Sequence, residues 1–396
     1  MNKPHILIAL LSVFVLSCEI NQKDVVPSDS FTKIYNNPDE NLSYFVESVL
    51  ELNDGFLILS GLKNYSENLN EYPNASIIRT NDRGEIVWAN DYAWRAPNRN
   101  LVDFNGTVGF VAMDNGDNAH FVAINTESGE EISATPLNVT MPLSCYVNEQ
   151  GNLIVLSYDY ISWSSVVSLY APSFNQLSYE RFPVGDDLVI PVQRHLNKNG
   201  GEFPFFIGEW DNSSLSGFFV NCLSNYTQGV LFFNNDGAST GGWIYSHQID
   251  NAVSSLLHKE EDVYSITRFY NGKNYITPSI NVDVTSLQNY NDSTNNPLHN
   301  LTPSAWISST RATIGATDYN LFASTTNSNS LIIYQYTLDT DELYHQIEID
   351  FADKIEVKQI IQDSKDNGIL ILAQNYITGR FLRPVLIKVP VRDFKE

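Results

Sequence analysis

The chain has 396 residues, 43% of them hydrophobic and 12% aromatic, with 23 Lys and Arg against 46 Asp and Glu and a formal charge of −23. That acid surplus, with no basic cluster to neutralise phosphates, excludes nucleic acid as a partner. The apolar fraction is ample for a core, and three Cys are too few for a disulfide framework.

Lys3 and His5 precede an apolar run from Ile6 to Leu16, too short to cross a bilayer as a helix but of the right length for the hydrophobic part of an export signal. The run ends in Val15-Leu16-Ser17-Cys18. This resembles the lipobox of bacterial lipoproteins, which implies cleavage before Cys18 and a lipid anchor on its thiol. An ordinary secretory signal with an incidental Cys is the alternative. Each methylene that such an anchor buries contributes about 0.8 kcal/mol. Gln22-Lys23-Asp24 is similar to the short acidic signals that send Bacteroidetes lipoproteins to the outer face of the outer membrane. Residues 1–17 therefore read as a signal peptide, 18–30 as anchor and tether, and 31–396 as a single domain. A tether of a dozen residues reaches roughly 40 Å.

Beyond the tether, a pair of short hydrophobic runs with a turn recurs seven times. In the clearest copy ELNDG is followed by FLILSG, ASIIRT, the turn NDRG and EIVWANDY. Runs of strand length, rich in β-branched and aromatic residues and bounded by turn formers, predict four strands of one propeller blade. The residues opening the second strands are placed at Gly55, Gly106, Gly151, Gly201, Asp262, Asp318 and Gly368, 45 to 61 residues apart. The strands that follow read FLILSG, TVGFVAM, NLIVLSY, EFPFFIG, VYSITRF, YNLFAST and ILILAQN. Third strands are expected at ASIIRT, HFVAIN, SVVSLY, GFFVNC, YITPSI, SLIIYQY and RPVLIKV. Copies five and six are the weakest, which leaves the count open between six and eight. Cys145 falls on an inner strand of the third blade and Cys222 on the third strand of the fourth, too far apart to bond, so both are expected as buried thiols.

The last copy ends at Val389-Pro390-Val391-Arg392 with no fourth strand, while Phe31 to Tyr35 is a lone strand with nothing before it. Letting the first complete the last predicts an all-β propeller of seven four-stranded blades closed by the N-terminal strand, which leaves no free sheet edge. Thr80 to Trp88, TNDRGEIVW, resembles the turn motif of quinoprotein-like (PQQ-like, WD40-like) propellers and of many Bacteroidetes surface lipoproteins. The resemblance implies a Trp that docks on the neighbouring blade. It implies no cofactor, since residues that would bind pyrroloquinoline quinone and its Ca²⁺ are not identifiable. Residues 125–130 repeat the turn without the Trp, and LDTDEL at 338–343 is a more distant echo.

Catalytic motifs fail on context. Gly237-Ala238-Ser239-Thr240-Gly241 fits the spacing of a nucleophile elbow, but extended runs flank it where a strand and a helix are required. Ser60 and Lys63 have S-x-x-K spacing at the end of a strand. His120, His195, His247, His258, His299 and His345 show no metal-ligand spacing, although a composite site drawn from several blades stays open. The acidic runs at 186–187, 260–262 and 339–342 could offer oxygen ligands to Ca²⁺, but none follows an EF-hand loop, and they read as solvated turns. No cofactor and no metal are expected.

The loops between second and third strands, and between blades, emerge on one face and carry many aromatics: Tyr65, Trp94, Tyr158, Tyr160, Trp163, Trp210, Tyr270 and Tyr376. Aromatic faces beside carboxylates and amides suit sugar rings or a protein partner. Tyr158, Tyr160 and Trp163, with Trp210, Trp94 and Tyr270, are the candidate binding residues. The expected function is a non-enzymatic, lipid-anchored surface protein that recognises an envelope protein or a glycan through this face. The alternatives are a polysaccharide lyase or glycoside hydrolase acting at the channel mouth and a purely structural part of an envelope complex.

Overall fold

The structure is a computed structural model that describes residues 30–36, 42–64, 70–200, 202–225, 227–245, 251–289, 297–303, 305–377 and 381–395. Cys18 and Tyr65, from the expectations above, lie outside the described residues.

An opening strand β1 (Phe31–Ile34) precedes successive antiparallel groups. The first contains β2 (Leu42–Leu52), β3 (Gly55–Asn64), β4 (Asn74–Asn81) and β5 (Ile86–Arg95). The second contains β6 (Leu101–Phe104), β7 (Thr107–Met113), β8 (Asn118–Ile124) and β9 (Glu131–Thr140), and the bridge of Arg95 to Met113 joins these two groups into one eight-stranded sheet. Next come β10 (Pro142–Val147), β11 (Leu153–Asp159), β12 (Ser164–Tyr170) and β13 (Gln176–Pro183). A short helix α1 (Val189–Asn197) then interrupts the strands. The fourth group is β14 (Phe206–Asp211), β15 (Ser216–Ser224), β16 (Thr227–Asn234) and β17 (Ser239–Tyr245), and the fifth is β18 (Asn251–Glu260), β19 (Val263–Tyr270) and β20 (Lys273–Asn281). After the short β21 (Leu287–Asn289) the sixth has β22 (Ser308–Ile314), β23 (Thr317–Thr325), β24 (Ser330–Thr337) and β25 (Leu343–Asp350). The last sheet is β26 (Ile355–Gln362), β27 (Ile369–Ile377), β28 (Phe381–Val389) and, at its edge, β1.

Burial explains why the pattern was readable. Second and third strands lie between neighbouring sheets, so β3, β8 and β12 are buried almost along their length and read as unbroken apolar runs. Fourth strands face solvent on one side: β13 and β25 alternate residue by residue between exposed and half-buried positions. The turn NDRG behaves as expected. Asn81 Oδ1 accepts from the amides of Arg83 and Glu85, and Gly84 takes φ +70, which only glycine adopts at no steric cost. Trp88 docks on the turn of the next group, where its Nε1 donates to Thr126 O at 3.1 Å and its ring fills the space above Gly129.

The N-terminal strand pairs antiparallel with the last one, Phe31 opposite Lys388 and Ile34 opposite Val385. Tyr35 is buried beside Val46, Ile58 and Leu386.

Three expectations are corrected. EFPFFIG, opened by Gly201, is not a second strand. It runs into β14, the first strand of its group, so GFFVNC is the second strand and Cys222 sits there, while Cys145 does lie on the first strand β10. The insertion carrying α1 displaced the period by one strand. The fifth group has three strands, because β21 pairs parallel with β17 of the preceding group instead of returning to its own sheet. Helix α1 is an exception to an otherwise all-β chain.

Candidate binding faces and the axial cavity

The first strand of each group packs against the first strands before and after it: β2 on β6, β6 on β10, β10 on β14, β14 on β18, β18 on β22, β22 on β26, and β26 on β2. These strands surround a cavity of about 1250 Å³, with walls that include Val49 to Glu51, Leu101 to Asp103, Phe206 to Asp211, Ser254 to His258, Ser308 to Arg311 and Gln359 to Ile361. Sheets set around an axial channel make this a β-propeller.

Solved structures similar to this chain are propellers as well. The β-propeller domain of the Trilobed protease from Pyrococcus furiosus, described as revealing an open velcro topology, has TM-score 0.43 and 8% identity over 88% of this chain and 95% of that one. The WD40 propeller domain of Doa1 has TM-score 0.46 and 10% identity over 89% and 95%. The Dos1 propeller has TM-score 0.45 and 10% identity over 91% and 92%. No protein-family model matches the chain, and no curated protein matches it in sequence.

The cavity reaches the turns that follow the first strands, at Glu149, Gln150, Asp211 and Ser216. Its wall also includes Arg99 and Phe205, the latter at the end of the insertion that carries α1 (residues 184–200 and 202–205). Register shifts leave Glu47 out of the β2–β3 ladder and Lys358 out of the β26–β27 ladder. A bulge re-aims the extra side chain, and here both meet the insertion. Lys198 Nζ lies 2.6 Å from Glu47 Oε1, and Lys358 Nζ lies 3.3 Å from Glu202 Oε2 and 3.0 Å from Glu356 Oε1. Arg99 donates to Phe205 O and to Lys358 O, and both cations stand over the Trp306 ring at 5.3 Å. Lys63 Nζ, from β3, donates to Asn197 O at the end of α1.

The charges tune one another. Burial pulls Glu202 up, but Lys198 and Lys358 outweigh it and bring the carboxyl down to about 2. For Glu47 burial wins over Lys198 and raises the carboxyl. Burial, reinforced by Lys198, holds His195 well below the ordinary imidazole value, so it is neutral and its Nδ1 accepts from Phe203 N at 3.0 Å. Three cations (Arg99, Lys198, Lys358) face three carboxylates (Glu47, Glu202, Glu356), a balanced latch that fastens the insertion to the first and last sheets. In the sequence, Asp186-Asp187 before an apolar run and Arg194, His195 and Lys198 after it are helix-end signals. The acidic pair, expected as a solvated turn, opens a short 3-10 turn that leads directly into α1.

On the opposite face the connection from β11 to β12 projects three aromatic or aliphatic side chains: Tyr160 is 41% exposed, Ile161 77% and Trp163 48%. Asp159 organises this tip, accepting from Ile161 N, Ser162 N and Ser162 Oγ. Burial pulls its carboxyl up, yet the bonds from Ser162 and Ile161, with the charge of Arg181, outweigh that and hold it below the usual carboxylate range. Trp163 O accepts from Val184 N at 2.9 Å, tying the tip to the insertion. Ile190, at the start of α1, is another exposed apolar side chain on this insertion, at 59%.

Two of the candidate residues are corrected. Tyr158 is fully buried in the core among Ile154, Val167 and Leu196, with its hydroxyl pushed up to about 12 by burial. Trp210 is also buried, its Nε1 donating to Phe218 O. Strand alternation would put Tyr158 and Tyr160 on the same face, but β11 ends at Asp159 and the turn that follows leaves Tyr160 outside the core. Trp94 is half-buried, bonded through Nε1 to Glu131 Oε2 and 4.9 Å from the His120 ring. Tyr270 is half-buried at the end of β19, opposite Lys273. Trp94, the 160–163 tip and Tyr270 belong to the first, third and fifth groups.

The sequence motifs resolve as expected on context. Ser239 opens β17 after a turn at Gly237, with strand and not helix following, and Ser60 is buried within β3. Among the described residues no group of three or more His, Cys, Asp or Glu is placed to hold a metal ion.

Proposed function

We propose that this chain is a non-catalytic recognition protein: a seven-bladed propeller closed by its own N-terminal strand, held by a lipid on Cys18 at the exterior face of the outer membrane. It recognises an envelope protein or glycan through the loop face that bears Tyr160 and Trp163. The observation that carries this reading is the preorganised tip, in which large side chains stay exposed on a backbone already fixed by Asp159 and Val184, so binding costs little ordering entropy. The pairing of β1 with β28 and the circuit of first-strand contacts support closure.

Orientation supports the outward role. Phe31 lies opposite Lys388, and the neighbouring Gly84 and Asp82 lie in the turn from β4 to β5, so β1 enters on the cavity-mouth face. A tether there leaves the Tyr160 tip directed away from the membrane. The test is Tyr160→Ala with Trp163→Ala in the full-length protein. Loss of glycan-array signal, or of a defined envelope partner in crosslinking, is expected. Unchanged binding would refute the assignment of this face. Anchoring is tested separately, because Cys18→Ser should move the protein from the membrane fraction to the soluble one.

A further inference from the structure

We propose that the axial cavity is a second binding site, distinct from the loop face, and that it takes a short zwitterionic peptide. The rim has two electrical sides. Glu51 on β2, Asp103 on β6, Glu149 after β10 and Glu209 on β14 put carboxylates on the arc formed by the first four groups. Arg311 on β22 supplies a cation on the other side, next to the seventh group, whose lining residues Gln359 to Ile361 carry no charge; of the remaining charged lining residues, Arg99 is taken up by Phe205 O and Lys358 O, and Asp211 Oδ1 lies 3.1 Å from His258 Nδ1.

The two ends differ in readiness. Arg311 Nη2 donates to Lys259 O at 2.9 Å and to His258 O at 3.3 Å, which fixes the guanidinium while leaving its other N–H groups free for a planar carboxylate. Among the described residues no carboxylate stands within ion-pair distance of Arg311, and no cation stands within that distance of Asp103 or Glu149. Glu209 is already engaged by the Tyr146 hydroxyl and Glu149 N, and Glu51 by Ser364, so Asp103 and Glu149 are the groups open to an ammonium. Between the arcs the wall sets Phe206, Leu256 and Ile361 beside the serines and threonine at 254–255 and 308–310. A ligand with an ammonium at one end, a carboxylate at the other and apolar side chains between matches all three features.

Size points the same way. Ligand sites for drug-sized molecules run to about 1,000 Å³, and this cavity, at about 1250 Å³, has room for a longer chain.

The experiment is equilibrium dialysis of the full chain against pools of tetrapeptides and pentapeptides made from alanine, leucine and serine. Each pool is used free-ended, N-acetylated or C-amidated. Free-ended peptides should be retained, and capping either end should weaken retention about tenfold or more. Arg311→Gln should abolish the difference between free and amidated C-termini while preserving that between free and acetylated N-termini. Asp103→Asn with Glu149→Gln should do the converse, and serves if Arg311→Gln fails to fold. Tyr160→Ala with Trp163→Ala should leave retention unchanged, which separates this site from the loop face. No retention of free-ended peptides, or equal retention of free and capped ones, would overturn the proposal.

Discussion

Replacing Lys358 by Met tests whether the buried latch holds the insertion against the first and last sheets. The side chain is 4% exposed and touches Glu202 at 3.3 Å and Glu356 at 3.0 Å. With an effective dielectric of about 20, charges at those distances attract by about 5 kcal/mol each before desolvation is counted. Met recovers the stem's packing but leaves the balanced cluster one negative charge in excess, Glu202 having lost one of its two lysines. Breaking a buried pair in this way costs about 3 to 5 kcal/mol. Burial and Glu202's loss of Lys358 should also raise the carboxyl from about 2 toward its ordinary value. The assay is urea unfolding followed by tryptophan fluorescence, run as a cycle with Glu202→Gln. The double variant should be more stable than the sum of the single losses predicts, by about 1 kcal/mol or more. A single-variant loss below about 1 kcal/mol, or strict additivity, would show that the latch does not restrain the insertion.

Further outcomes follow from the same geometry. His195 is neutral in the folded chain, with a value depressed below its ordinary 6.5, so the unfolded chain binds the extra proton first and stability should fall as pH drops below about 6.5. His195→Gln should remove that portion of the decline in thermal midpoint between pH 7 and 5, and overlapping curves would contradict it. Glu202 adds a second loss with the same sign, beginning below its ordinary 4.5 and complete only near 2. Deleting residues 1–29 should leave the melting temperature in place, whereas deletion through 36 strips β1 and Tyr35 from the edge of β28 and should cause melting at lower temperature and self-association by light scattering. Cys145 and Cys222 are buried thiols, the first pushed up to about 12 and the second raised further by burial. Neither should react with Ellman's reagent at pH 8 until the chain is unfolded, and rapid native labelling would show that their strands open.

The repeat was legible because blade packing writes itself into the sequence. A strand covered on both faces needs an unbroken apolar run, as FLILSG and NLIVLSY show, and a tight turn needs Gly or Asn where φ is positive, as at Gly84 and Gly129. The same local rules located β1 as a strand in want of a partner, while the docking of Trp88 was implied by the resemblance of its turn to that of quinoprotein-like propellers. They failed where a long-range contact chooses between equal local options. Nothing near Tyr158 and Tyr160 says which ring is swallowed by the core, because neighbours two apart differ only in whether the strand has ended. Trp210 has the same composition of neighbours as an exposed aromatic, yet Phe218 O and the adjoining sheet claim it. Glu47 and Lys358 carry no local mark of their role until bulges set them against the insertion, and EFPFFIG has the pattern of a second strand although Glu202 and Phe205 are claimed by Lys358 and Arg99. Periodicity and turn chemistry belong to the chain itself. Which rings stay exposed and which charges stand opposite one another arise only when segments hundreds of residues apart share one axis, since side-chain burial and ion pairing are properties of neighbours in space.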